Sequence, residues 1–523
     1  MNSEISKTLL SDEILVQAPV NEPERQHYFI EKLKEYFTSN NNKKKACVAT
    51  FGCQMNARDS EKLSGILTDI GFDEGDKEET ADFVIFNTCT VRENANEHLY
   101  GRLGRLKQSK KNNPDMIIAV CGCMMQETDE VEKLRIKYPY VDIIFGTHNL
   151  YTFPELIFTL LRKRFGSVDN INDNGKELIA SSADDVIKYE KLLRYGSHGK
   201  DIEKLYRKPV VSVWKDNSDI VEDLPSKRKY SFKQGINIMF GCDNFCSYCI
   251  VPYVRGREKS RAPEEIYEEI RKAAADGVKE IMLLGQNVNS YKGGIGFPEL
   301  LINIDKLAAE TGIERVRFMT SHPKDLSDSL IEAMASCSRV CHQFHLPLQS
   351  GSDPVLKRMN RHYDKETFLM RAEKLRAAMP DISLSTDIIV GFPGETEEDF
   401  LETLDVVKKA RFDSAYTFIY SKREGTPAAK YTDQIDEETV KNRFDRLLEV
   451  QNAIVAENLN KLVGQTFPVL FESVSEYDDQ LISGKLESGT TVHVPGDESI
   501  IGAVRNVKLT ECRGFYFTGE IID

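Results

Sequence analysis

From Ile236 onward, short apolar runs alternate with helical patterns for roughly 200 residues. The runs "INIMF", "EIMLLG", "RVRFM", "QFHLPL", "SLSTDIIVG" and "SAYTFIY" each have the length of a buried strand, with a helical segment between one and the next. Strands that alternate with helices pair in parallel through right-handed crossovers. Six such units predict a (βα) TIM-like barrel, complete or partial, with its chemistry at the C-terminal strand ends. One helix is signposted in "APEEIYEEIRKAAADG". Pro263 suits its first position, Glu264 and Glu265 suit its positive end, and Gly277 can terminate it. A second begins at Thr396, with Asp399 three residues later as a variant capping box.

The flanks read differently. Residues 1–44 carry only a short amphipathic piece, "HYFIEKLKEYF", and are expected to form an N-terminal extension. Residues 45–165 interleave "ACVAT", "DFVIF", "MIIAV" and "YVDIIFG" with helical stretches, which predicts a parallel α/β domain. Residues 166–229 turn polar and read as a linker or insertion. The barrel is expected over 230–460. Residues 461–523 give short strands with turn residues between them, the pattern of a small β-barrel.

With 41% hydrophobic and 29% charged residues the composition is that of a soluble globular protein. No apolar run approaches membrane-spanning length, and the N-terminus lacks the basic-then-apolar order of a signal peptide. Eleven cysteines in such a chain favour metal or redox use over a disulfide framework and point to the cytoplasm. A net charge of -14 argues against indiscriminate nucleic-acid binding but leaves room for a local basic patch.

Cys242, Cys246 and Cys249, in "FGCDNFCSYC", are spaced C-x3-C-x2-C in a loop leaving the first barrel strand. A structural zinc closes a tetrahedron with four ligands, and an electron-carrying cubane takes four thiolates. Three thiolates therefore leave one position open, unless a zinc knuckle recruits a remote fourth ligand. Cys337 and Cys341 repeat C-x3-C without a third member and read as buried, inert thiols. A second trio lies in "ACVATFGCQMN", "FVIFNTCTVRENA" and "MIIAVCGCMMQ", where Cys53, Cys89 and Cys123 each fall three residues past an apolar run. In a parallel sheet such positions converge on the ligand crevice. The alternative is three separate core cysteines, the reading preferred for Cys47 and Cys121. "LLGQN", "HLPLQSGS" and "DIIVGFPGET" place glycine or amide residues just past strands, which suits a cofactor slot or an ordinary tight turn.

A C-x3-C-x2-C loop in the first turn of a (βα) barrel resembles the radical S-adenosylmethionine (SAM) enzymes. In those enzymes SAM chelates the open iron of a [4Fe–4S] cluster and is cleaved to a 5′-deoxyadenosyl radical. A three-cysteine N-terminal domain, a radical SAM barrel and a C-terminal TRAM β-barrel together resemble the methylthiotransferases. Within that family, "FGCQMN", "NTCTVRENA", "LLGQNVNSY", "TSHP" and "STDIIVGFPGET" are most similar to the bacterial tRNA 2-methylthio-adenosine synthases. The resemblance implies a tRNA methylthiotransferase with SAM and two [4Fe–4S] clusters. Cys242, Cys246 and Cys249 would hold one cluster, and Cys53, Cys89 and Cys123 an auxiliary one that offers an open iron to sulfur. It implies SAM contacts among Gln286, Asn287, His345, Gln349, Ser350, Asp387 and Gly391. It also implies an isopentenylated adenosine beside the tRNA anticodon as substrate, and an electron donor such as flavodoxin or ferredoxin.

"RGREKSR" supplies Arg255, Arg257, Lys259 and Arg261 directly after the cluster loop, as phosphate contacts or as a solvated basic loop. The C-terminal barrel is acidic, with ten Asp or Glu against five Lys or Arg from Asn460. RNA binding there would need Arg505, Lys508 and Arg513 on one face, or stacking through Phe515 or Tyr516. Rival readings are a methylthiotransferase for a ribosomal protein side chain or another modified adenosine, and a non-enzymatic iron–sulfur electron carrier.

Overall fold

One unit, Met1–Lys229 with Tyr253–Gly256, is built on six parallel strands. They are β1 (Lys44–Thr50), β2 (Phe72–Glu74), β3 (Phe83–Thr88), β4 (Ile117–Gly122), β5 (Ile143–Phe145) and β6 (Val210–Ser212), in the order β2-β1-β3-β4-β5-β6. The computed structural model describes residues 9–39, 43–90, 93–165, 209–215 and 220–522. Side chains alternate across the sheet, so Phe83, Ile85, Ile117 and Ala119 enter one core while Val84, Phe86, Ile118 and Val120 enter another. Burial on both faces explains the unbroken apolar runs.

The stretch expected as an extension supplies part of this unit. Helix Glu24–Thr38 buries Phe29, Ile30, Leu33 and Phe37 in the first core, and Arg25 pairs with Glu155 at 2.6 Å. Each fully buried apolar side chain contributes about 1.5–3 kcal/mol, so the helix is held by packing. Most of the expected linker, 166–208 and 216–219, lies outside the described residues. Its remainder is not free of the sheet, because Val210–Ser212 is strand β6. Gly65 is obligatory where this segment crosses, since a Cβ there would meet the Ser226 backbone at 2.4 Å.

The other unit, Tyr230–Pro252 with Arg257–Asp523, begins with β7 (Lys233–Asn237). A short bracket of β8 (Met239–Phe240) against β9 (Lys259–Ser260) follows. Then come β10 (Glu280–Leu284), β11 (Arg315–Phe318), β12 (Gln343–His345), β13 (Ser383–Val390) and β14 (Ser414–Ile419). The parallel sheets β7-β10-β11 and β12-β13-β14 are joined by the bridge of Val316 to Val340. Six parallel strands thus follow in sequence order, and β7 and β14 do not pair among the described residues, so the TIM-like barrel is partial. The helix Pro263–Ala275 starts at Pro263, and Thr396 and Asp399 form a reciprocal capping box on Glu397–Ala410.

A closed barrel follows from β15 (Thr466–Val474), β16 (Leu481–Lys485), β17 (Thr491–Pro495), β18 (Val504–Cys512) and β19 (Tyr516–Ile521), ordered β15-β16-β17-β19-β18. It is fastened to the start of the parallel strands. Arg315 donates to the carbonyls of Lys485 and Pro468, and Arg317 to those of Leu486 and Glu487. Between them Glu280 accepts from Arg317 at 2.9 Å and pairs with Lys233 at 2.9 Å. Burial pushes the Glu280 carboxyl up, but Arg317 and Lys233 outweigh it and hold it below its ordinary value.

Candidate cluster sites

The loop after β8 curls tightly because Gly241 (φ 72°) and Phe245 (φ 46°) adopt left-handed conformations. Its apex is pinned from outside: Asn360 donates to the carbonyls of Asn244 (3.2 Å) and Phe245 (2.9 Å), and Ser247 Oγ donates to that of Arg358 (2.8 Å). The Cys249 N–H donates back to the Cys246 carbonyl at 2.9 Å. Two of the three sulfurs receive donors, from Asn244 to Cys242 at 3.4 Å and from Arg361 to Cys246 at 3.3 Å. Burial pushes the thiols of Cys242 and Cys249 up to about 11 and about 12. They are therefore protonated until iron displaces the proton.

In the α/β unit the strand register sets the second trio. β1 pairs with β3 so that Thr50 faces Asn87, and β3 with β4 so that Thr88 faces Gly122. Carried on, this places Cys89 and Cys123 level with Gly52, and Cys53 one residue beyond. The equal offset expected from sequence is corrected here, because β3 and β4 run two residues longer than their apolar runs. A Cβ on Gly52 (φ 144°) would lie 2.6 Å from the Cys89 Cβ and 3.2 Å from its sulfur. The chain therefore makes room for that thiol. Cys89 and Cys123 are buried, while Cys53 is exposed at the start of helix Gln54–Asp69. Burial pushes the Cys123 thiol up to about 12, Arg255 pulls it down, and Cys89 and Cys53 push it further. The three thiols thus lie within electrostatic reach of one another. Cys121 packs into the first core and Cys47 into the second.

Among the described residues no group of three or more His, Cys, Asp or Glu side chains is drawn together as for a single metal ion. A cubane places each thiolate on a different iron, and two trios of thiols, with N–H donors directed at sulfur, fit it.

Of the expected SAM contacts, His345, Gln349 and Asp387 meet one another. His345 is held by Ser385 at 3.0 Å and Asp387 at 3.3 Å. Asn287, just past β10, donates to Asp325 at 2.7 Å, and its buried Oδ1 accepts nothing among the described residues. Gln286 is half-buried beside it. Gln349 (φ 66°) spends its backbone on Asp387 and Ile389. Ser350 turns to Thr403 at 3.3 Å, and Gly391 is glycine because a Cβ would meet Val440 at 2.6 Å.

The basic run separates. Arg255 and Arg261 have buried side chains, 8% and 4% exposed, paired with Asp59 at 3.1 Å and Glu269 at 2.6 Å. The expected phosphate contact is corrected for these two, since a guanidinium paired in the interior is out of reach of RNA. Lys259 lies in β9, and Arg257 remains 70% exposed, over the Phe245 ring and 3.3 Å from Asp243. In the C-terminal barrel, Arg505 and Lys508 stand three residues apart on β18, so their side chains alternate across it rather than share a face. Phe515 is 68% exposed, and Tyr477, His493 and Tyr516 form a chain of edge-on rings.

Sequence reasoning missed Arg361, Asn360, Asn56, Asp59 and His322. His322 follows β11 in "TSHP", is 3% exposed, and has an Nε2 with no partner among the described residues. Burial, then the charges of Arg361 and Lys324, drive its pKa far down, so the ring is neutral.

A parallel strand–helix barrel whose first loop carries this trio defines a radical SAM enzyme. Residues 236–407 match the Radical SAM superfamily, 45–146 match Uncharacterized protein family UPF0004, and 460–522 match the TRAM domain. The tRNA-2-methylthio-N(6)-dimethylallyladenosine synthase of Lachnoclostridium phytofermentans is 50% identical, covering 91% of this chain and 95% of its own. Those of Alkaliphilus oremlandii (48%; 95% and 96%) and Clostridioides difficile (45%; 97% and 98%) are similar in extent. Among solved structures, the radical SAM methyltransferase TsrM of Kitasatospora setae is 14% identical over 74% of each chain, with a TM-score of 0.48. The chain belongs to the radical SAM methylthiotransferase family of the tRNA-2-methylthio-N(6)-dimethylallyladenosine synthases. This family uses SAM and [4Fe–4S] clusters.

Proposed function

We propose that the protein methylthiolates C2 of N6-isopentenyladenosine beside the anticodon of tRNA, in the cytoplasm, with electrons from a donor such as flavodoxin or ferredoxin. What supports the reading is the second trio, Cys53, Cys89 and Cys123, which follow the neighbouring parallel strands β1, β3 and β4 and offer three thiols rather than four. An electron carrier has no use for two incomplete ligand sets. The names of the relatives support the choice of substrate.

Cys242, Cys246 and Cys249 would hold one cluster, and Cys53, Cys89 and Cys123 the other. When bound, the clusters and SAM supply the one-electron chemistry needed at a C2–H that is not acidic enough for a general base. The chain's own groups position and enclose. Asn360 and Ser247 fix the loop, Arg361 and Asn244 donate to its sulfurs, and Asn287, past the end of β10, with His345 and Asp387, within β12 and β13, offer polar contacts. Arg257 is the arginine of the basic run left for phosphate, and Phe515 and Tyr477 are exposed rings on which bases can stack. The target base must be unstacked to reach a barrel.

Anaerobic reconstitution should give about eight irons per chain, four per cubane. Cys53→Ala or Cys89→Ala should fall to about four and still cleave SAM while making no methylthio product, read by mass spectrometry of tRNA nucleosides. About four irons in the parent, or full methylthiolation by either variant, would refute the scheme. Product in ribosomal protein digests and none in tRNA would move the substrate.

A further inference from the structure

Arg255 is six residues past Cys249, yet it belongs to the α/β unit. Its Nε donates to the Cys123 sulfur at 3.2 Å, and its Nη2 reaches Asn56 Oδ1 at 3.2 Å and Asp59 at 3.1 Å. Asn56 Oδ1 also accepts from the Cys53 sulfur at 3.3 Å. Asn56 is itself fixed, its Nδ2 donating to the Thr88 carbonyl at 2.8 Å and to Asn87 Oδ1 at 3.2 Å. The Val254 carbonyl, one residue before, accepts from Thr147 Oγ1 at 2.7 Å. Arg255 and Asn56 are each held by more than one contact, and the network touches two of the three auxiliary cysteines.

We propose that Arg255 is a positioning residue of the auxiliary cluster, its guanidinium anchored by Asp59 and Asn56 so that it donates to the Cys123 sulfur and offsets negative charge there. The inference rests on the auxiliary-cluster reading above. A buried Arg satisfied by Asp59 alone would be ordinary ion pairing. This one turns a second edge of its fork to sulfur, and hydrogen bonds to cluster sulfurs raise the reduction potential and retain the metal. Lysine is a poor substitute, since one ammonium cannot present two edges at fixed geometry.

The test uses the full-length chain with Cys242→Ala, Cys246→Ala and Cys249→Ala, so that only the auxiliary cluster assembles. Arg255→Met and Arg255→Lys are compared with this parent for iron and sulfide content, rate of iron loss to a chelator, and reduction potential by electron paramagnetic resonance. Arg255→Met should shift the potential negative and lose iron about 10-fold faster, the lower end of the effect of outer ligands on metal affinity. Arg255→Lys should be intermediate, which keeps the test decisive if the Met variant fails to fold. A potential and loss rate equal to the parent's in either variant overturns the role of Arg255. Absence of iron in the parent overturns the auxiliary site and this inference together.

Discussion

At His322, a buried ring that cannot take a proton ties the site to pH. Burial drives its pKa down, and the groups facing it, Arg361, Lys324, His362 and Arg371, act in the same direction. In the folded chain the ring stays neutral, whereas the unfolded ring titrates near 6.5. Below that pH the unfolded state binds the extra proton, so stability from this group is full above 6.5 and is lost as pH falls, at about 1.4 kcal/mol per unit. Denaturant midpoints measured from pH 7.5 to 5.5 should fall less steeply in His322→Gln than in the parent. Equal slopes would mean that the ring accepts a proton in place. The residue types were legible at this scale, cysteines by spacing above all. Their partners were not: Arg361 approaches Cys246 from 115 residues away, and nothing in "MNRHYD" marks it as a sulfur donor.

Strands were legible wherever burial on both faces made the run apolar, as in β3 and β4, or wherever a cap announced a helix, as at Pro263 and Thr396. What escaped were elements whose partners are remote in sequence. Helix Glu24–Thr38 reads as a short amphipathic piece because Phe158, which meets Phe29 at 5.2 Å, lies far along the chain. β6 is three residues of an otherwise polar stretch. Register escaped as well, and with it the reason for Gly52. That position argues a prediction of its own: in Gly52→Ala the new methyl meets the Cys89 Cβ at 2.6 Å on a backbone with φ 144°. The strand end must shift and carry Cys89 with it. Iron should fall from about eight to about four per chain while the barrel cluster and SAM cleavage persist. A variant that retains full iron would show that the β1 end yields without disturbing the thiol.

Across the molecule, the acidic C-terminal barrel poses the question of how it serves an RNA enzyme at all. Its charge balance cannot draw RNA from a distance, so its use depends on being held in a fixed place where exposed rings meet the substrate. The fastening is specific: four carbonyls of that barrel are capped by Arg315 and Arg317, and Arg317 is oriented by Glu280, which is 2% exposed. Removing one member of a buried ionic group leaves the others uncompensated, which costs about 3–5 kcal/mol. The Glu280 carboxyl lies below its ordinary value, so this stabilisation is complete at neutral pH and is lost as pH falls through the folded pKa. Arg317→Met therefore leaves Glu280 to Lys233 alone at hydrogen-bond distance and frees two carbonyls of the TRAM barrel. Limited proteolysis should then cut near Asn460–Gly464, and tRNA affinity should drop. SAM cleavage without RNA should survive, because the three cysteines sit at the opposite ends of the parallel strands. If Arg317→Met resists protease and binds tRNA as the parent does, the two barrels are held by apolar packing and the ionic group is dispensable.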